Sequence, residues 1–281
     1  MASPAGRTFV DWTAEDGPPL PRYSRDLRNG VLVAAGMSHP HLDRAPIVEA
    51  LVDLRVDPEL FSLGALEPFQ KAAATDFPDQ RRVLFVTSNV DLRDMDAPKI
   101  TTPLPDTKGY ACWSVDKRRV IQARVNGFSF SHLGPYDRWE TLRDDARTWW
   151  RTYRDRTQPQ RVTRCALRFI NRLDLPQPMG DLAEYLKTVP QIGEGLPQTL
   201  SGLFMRLVLP FPRATAIVTQ AVDDAGVTQE KLPVILDIDV FAEGDFSPDG
   251  EEIWSRLEEL HTIKNEVFFR SITPEAVRLF R

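Results

Sequence analysis

The stretch Arg164–Pro176, RCALRFINRLDLP, decides how the rest of the chain is read. Successive side chains of a β-strand point to opposite faces of its sheet. On that period Cys165, Leu167, Phe169, Asn171 and Leu173 share one face, and Arg164, Ala166, Arg168, Ile170, Arg172 and Asp174 share the other. A strand with one apolar face and one face bearing three arginines suits a sheet covered by helices on one side only. A bulge is expected at Asn171-Arg172, where it would re-aim these side chains.

Working outward, other segments carry the same two-residue period. Pro46–Val56 (PIVEALVDLRV) sets Val48, Ala50, Val52, Leu54 and Val56 on an apolar face. Glu49, Asp53 and Arg55 lie on the other, together with Ile47 and Leu51. Strands are expected at 82–88, 202–209, 214–222 and 233–242. A hairpin is expected from 109–115 and 120–133 around Asp116-Lys117. In its second arm Gln122, Arg124 and Asn126 share a face, and Gly127 breaks the alternation. Residues 96–108 hold three prolines and no period, which predicts a loop; 191–198 reads as another.

Helical spacing appears at 61–76, where Leu63, Leu66, Phe69 and Ala73 recur, and most clearly at Asp137–Arg156. There Trp139, Leu142, Ala146, Trp149, Trp150 and Tyr153 form an apolar stripe, expected to be core rather than a stacking platform for a ligand. A short helix is expected at 181–188 and a long one over Asp249–Phe269, with Lys264 interrupting its apolar line. Thr273-Pro274-Glu275 reads as an N-cap with proline at the first helical position.

The fold class expected is therefore α+β: a predominantly antiparallel sheet with helices packed on one face. The order strand, helix, three strands, helix recurs in 46–156 and in 164–281, which suggests an internal duplication within an α+β domain of residues 37–281. Residues 1–36 have scattered charge, GPPLP and no apolar period. They read as a disordered or non-native extension, with Met37 as a candidate start.

Composition excludes several classes. A net charge of −5 argues against nucleic acid or anionic membrane bound over the whole surface. No apolar run approaches the ~18 residues of a membrane span, and no secretory signal pattern opens the sequence, so a cytoplasmic protein is expected. Two cysteines, Cys112 and Cys165, in apolar contexts read as free buried thiols. His39, His41, His132 and His261 lack metal-ligand spacing. Phosphate-loop, dinucleotide and nucleophile-elbow motifs are all missing.

Four stretches together, APIVEALVDLRV at 45–56, GFSFSHLGPYDRWETL at 127–142, RCALRFINRLDLP at 164–176 and LDIDVF at 236–241, resemble a sporadically distributed family of bacterial and archaeal conserved hypothetical proteins. The resemblance spans residues 37–281. That family has no established activity or cofactor, so the resemblance implies a shared fold and carries over no catalytic residue.

The charged strand faces remain as the candidate site. Arg124, Asn126, Arg168, Arg172 and Arg206 are the candidate ligand-binding residues, because the planar guanidinium fork suits phosphate and carboxylate. One reading is a binding or accessory protein, without a cofactor, that engages a protein partner or an anionic small molecule through this face. The alternative is a Mg²⁺-dependent phosphohydrolase or nucleotidyl enzyme, in which Glu49, Asp237 and Asp239 hold the metal as hard oxygen ligands.

Overall fold

A computed structural model describes residues 39–40, 42–57, 62–85, 89–91, 99–101 and 106–281. The expected extension at 1–36, Met37, His41 and the 86–88 end of the expected strand at 82–88 lie outside the described residues. Ser38–Arg281 forms one compact unit.

The strands are β1 (Ile47–Val56), β2 (Asp79–Phe85), β3 (Asn89–Asp91), β4 (Lys99–Thr101), β5 (Asp106–Trp113), β6 (Arg119–Arg124), β7 (Gly127–Leu133), β8 (Val162–Pro176), β9 (Phe204–Phe211), β10 (Ala214–Val222) and β11 (Lys231–Phe246). Nine of them form one antiparallel sheet in the order β2-β5-β6-β7-β1-β8-β11-β10-β9, and β3 pairs with β4 alone. The helices are α1 (Glu67–Ala73), α2 (Trp139–Thr157), α3 (Glu251–Ser271) and α4 (Pro274–Arg278). The class is the one expected, α+β with an antiparallel sheet.

The sheet is built outward from two central antiparallel neighbours, β1 and β8. On one side of that pair stand β7, β6, β5 and β2; on the other stand β11, β10 and β9. Each side holds a three-strand meander, β5-β6-β7 or β9-β10-β11, whose last strand returns beside the central strand, followed by a long helix, α2 or α3; β2 extends the first side alone. The same order is thus laid out twice about the β1–β8 seam.

Helices α2 and α3 bury their apolar stripes against one sheet face, and Phe69 of α1 reaches the same face at Phe128. Val52 and Leu54 of β1, Phe128 and Phe130 of β7, Leu167 and Phe169 of β8 and Ile238 and Val240 of β11 are fully buried there. Trp150 and Tyr153 of α2 pack on Phe128, with ring centroids at 5.9 and 5.6 Å. Trp139 and Trp150 are buried and Trp149 is half-buried against Phe69 and Phe77. The tryptophan stripe is core.

Several local expectations change. The bulge lies not in β8 but in its neighbour: between Ile47↔Asn171 and Glu49↔Ile170, β1 carries one extra residue, Val48. That insertion shifts the side-chain parity of β1 at its start. Ile47 therefore packs with the core and Val48 is 37% exposed, the reverse of the simple alternation. The segment 120–133 is two strands, not one, because the chain turns at Val125-Asn126. Gly127 is needed just after that turn, since a β-carbon there would come within 2.6 Å of the Leu54 carbonyl oxygen.

The expected loop at 96–108 contains β4 and the first residues of β5; a three-residue strand is too short to show a period. The expected helix at 61–76 is a 3₁₀ turn, Leu63–Leu66, leading into α1, where Pro68 sits in the first turn and needs no N–H partner. The expected helix at 181–188 is only a 3₁₀ turn, Leu182–Glu184, capped by Asp181; its continuation is drawn into a bridge between Leu186 and Ile272. Thr273 caps α4 as expected, accepting from the Ala276 N–H.

Candidate functional site

The sheet face opposite the helices carries the charges. Strand registers place them on a grid. One row across the face runs Arg206, Thr219, Asp237, Ile170, Glu49. The next runs Val208, Ile217, Asp239, Arg168, Leu51, Ser131, and the next Thr215, Phe241, Ala166, Asp53, Ser129, Gln122. A fourth holds Glu243, Arg164, Arg55, Gly127 and Arg124. Charged residues on one row reach diagonally to the row beside it.

Arg168 grips Asp237 through both carboxylate oxygens, with Nε at 2.9 Å from Oδ1 and Nη2 at 2.7 Å from Oδ2. Arg164 bridges two strands, with Nη2 at 2.8 Å from Asp239 Oδ2 and Nη1 at 3.2 Å from Asp53 Oδ1. Its guanidinium also lies over the Phe241 ring, 4.3 Å from the centroid. Arg124 donates Nη2 to Asp53 Oδ2 at 2.5 Å and Nη1 to Gln122 Oε1 at 3.1 Å. Arg55 stands 3.6 Å from Asp53.

These groups are poorly hydrated: the side chains of Asp53, Asp237 and Arg164 are 12%, 14% and 15% exposed, so pairing is what makes their charges tolerable. Burial by itself would raise the Asp53 carboxyl, but Arg124, Arg164 and Arg55 outweigh it and hold Asp53 below the usual carboxylate range. Asp239 goes the other way. Burial raises it, and Arg164 is too much shared with Asp53 to compensate. Glu49 is also raised by burial, despite its hydrogen bond with Ser131 and the charge of Arg168. Burial works against the Arg168 charge, but Asp237 more than restores it.

Of the candidate residues, Arg124 and Arg168 belong to this patch, and Glu49, Asp237 and Asp239 share its face. Arg206 stands on the same row as Asp237 but on the edge strand β9, exposed and two strands away. Arg172 forms a separate cluster at the strand end, donating to Asp174 at 2.9 Å and Asp223 at 2.6 Å. Asn126 is not on the face. The turn at Val125-Asn126 takes it to the sheet end, where its Oδ1 is buried and its carbonyl accepts from the Val56 N–H. Asp53 and Arg164 sit at the centre of the patch; their period-two placement was visible in sequence, but not their position at the β1–β8–β11 seam.

As a metal centre the three carboxylates are poorly arranged. Asp237 faces Arg168 and Asp239 faces Arg164, and among the described residues no group of three His, Cys, Asp or Glu side chains is placed to hold a metal. Described histidines are dispersed: His39 pairs with Glu266, His132 with Asp145, and His261 stacks on Trp139. Cys112 and Cys165 are buried free thiols, both pushed up to about 12 by burial and so protonated.

No described helix is long and apolar enough to cross a membrane. No protein-family model matches the chain, and no curated protein matches it in sequence.

Proposed function

We propose that this chain is a cytoplasmic, non-enzymatic binding or accessory protein that engages a protein partner through the charged open face of its sheet. The observation that supports this reading is the closed pairing on that face. Asp53, Asp237 and Asp239 are matched by Arg55, Arg124, Arg164 and Arg168, Glu49 is hydrogen-bonded with Ser131, and half-buried Leu51, Ile170, Ile217 and Phe241 lie among them.

Charges that already have partners can be covered by a second surface at modest further desolvation cost, and they fix its register. A small anion fits less well, because it would have to displace Asp237 from the Arg168 fork or Asp53 from Arg124. The same pairing favours a binding role over the Mg²⁺-dependent phosphate-processing alternative, since a metal would have to strip arginines from its own ligands.

The test is purification of the full chain from its native host, mass spectrometry of what co-elutes, and hydrogen exchange on the complex. Protection of 164–172 and 235–241 by a protein is the expected result. Protection confined to the outward side of α2 and α3 would contradict it. A co-eluting phosphate compound turned over in the presence of Mg²⁺ would favour the alternative.

A further inference from the structure

The segment Gly134-Pro135-Tyr136…Trp139 and the centre of β8, Phe169–Asn171, both stand out in the sequence, yet much of their chemistry lies away from the charged face. In the fold they meet beneath α3, around Lys264. This lysine is 7% exposed. Its Nζ sits 3.9 Å from the centroid of the Phe169 ring and donates to Asn265 Oδ1 at 2.6 Å. Among the described residues no carboxylate lies within ion-pair distance of it, although nearly every other buried cation described here has one.

Two further rings lie against the same ring. Tyr136 meets Phe169 edge-on, with centroids 5.6 Å apart, and its hydroxyl is buried without a hydrogen-bond partner. His261 lies 6.3 Å from Phe169 and stacks on Trp139 at 4.7 Å. Asn265 joins His261 to Lys264: its Nδ2 is 3.5 Å from His261 Nε2, while its Oδ1 accepts from the amine. Asn171 lies two residues along β8 on the same face, with Nδ2 donating to the Leu236 carbonyl. Gly134 and Pro135, next to half-buried Tyr136, are exposed.

An amine without a carboxylate, a phenol without a partner and a neutral imidazole are costly to bury together for packing alone. Their chemistry is that of a carbonyl-capturing site. We infer that Lys264, with Tyr136 and the His261–Asn265 pair, forms a second site, for a small carbonyl compound of the aldehyde class, which the amine captures as an imine.

The lone pair of Nζ attacks the carbonyl carbon as the C=O π electrons move to oxygen. A proton passes from nitrogen to that oxygen, giving a carbinolamine. The hydroxyl then leaves with a second proton as water, and the C=N bond forms. Tyr136 donates a hydrogen bond to the carbonyl oxygen; burial keeps its phenol protonated. Burial also pushes Lys264 down to about 7 and His261 down to about 3, so near neutrality a large share of the amine is free to attack and the imidazole stays uncharged.

The test uses the full wild-type chain, so it does not depend on a variant folding. The protein is incubated at pH 7 with propanal and cyanoborohydride, and the alkylated lysines are mapped by peptide mass spectrometry. Lys264 is expected to be labelled at least about tenfold faster than exposed Lys71 and Lys117, with the preference abolished in urea. The Tyr136→Phe variant is expected to slow labelling of Lys264 by about tenfold at an unchanged melting temperature. Labelling of Lys264 no faster than the exposed lysines overturns the assignment. So does undiminished labelling in Tyr136→Phe, because the site as inferred needs the phenol.

Discussion

Arg168 on β8 and Asp237 on β11 are joined by a two-pronged contact that runs diagonally across the strand pair, since the residue directly opposite Arg168 is Asp239. The diagonal leaves Asp239 to Arg164, four residues earlier on β8, and Arg164 in turn reaches Asp53 on β1. One ladder of guanidinium and carboxylate groups thereby ties the two halves of the sheet at their seam.

A first consequence is non-additivity. Removing Arg168 alone leaves the Asp237 carboxylate beside Asp239 and Glu49 with no cation of its own. Arg168→Ala should cost about 2–4 kcal/mol. The double replacement Arg168→Ala with Asp237→Ala should cost less than Arg168→Ala alone, because no unpaired charge remains. Urea titrations of the two single variants, the double variant and the wild type measure this directly; additive losses would show that the pair is merely a surface contact.

Asp53 and Asp239 should respond differently to loss of charge. Asp53 is held low by three arginines and Asp239 is raised by burial, so Asp53→Asn should cost about 3–5 kcal/mol and Asp239→Asn about 1 kcal/mol or less.

The pH dependence follows from the same shift. A carboxyl whose folded pKa is depressed contributes stability above its unfolded value and loses it as the pH falls toward the folded value. The gap between wild type and Asp53→Asn should therefore be full at pH 7 and shrink below about pH 4. Chemical denaturation at pH 7, 5 and 3 checks it; a gap that does not change with pH would count against the charge network.

The tryptophans on α2 should separate by burial. Trp150 is 1% exposed and donates Nε1 to the Pro248 carbonyl at 3.1 Å, whereas Trp149 is half-buried. Trp150→Ala should cost about 3–5 kcal/mol. Trp149→Ala should cost less, and thermal melts of the two variants rank them.

Much of this was legible in the sequence because a strand period assigns faces without knowing neighbours. RCALRFINRLDLP gave the two faces of β8 correctly, and PVILDIDV placed Asp237 and Asp239 on the charged face. What a period cannot report is a parity change. The extra residue at Val48 lies in β1 although the irregularity is felt opposite Asn171, and the turn at Val125-Asn126 removes Asn126 from a face that Gln122 and Arg124 keep. Nor does a period reveal which arginine takes which carboxylate, since that depends on registers between strands far apart in the chain. Lys264 was visible as an interruption of an apolar stripe; its neighbours Tyr136 and Phe169 come from other elements and were not.

Lys264 should leave its own mark on stability. Its folded pKa is near 7, below the ordinary lysine value, so the unfolded chain binds the proton more tightly across the interval above pH 7. Stability from this group therefore rises as the pH increases from about 7 toward 10, and the penalty is full below 7. Lys264→Met should be more stable than wild type at pH 7, and that advantage should shrink by pH 9.5. A constant difference between the two chains would show that the amine stays charged in the fold.

The most direct test of the binding face uses the double variant Arg168→Ala with Asp237→Ala, which removes one whole ion pair from the charged patch without leaving either partner unpaired. Wild type and variant are purified from the native host under identical conditions, and the partner retained per mole of chain is quantified by mass spectrometry. At least about a tenfold loss of retained partner is expected in a variant whose melting transition stays cooperative and close to that of the wild type. Undiminished retention by the folded variant would contradict it.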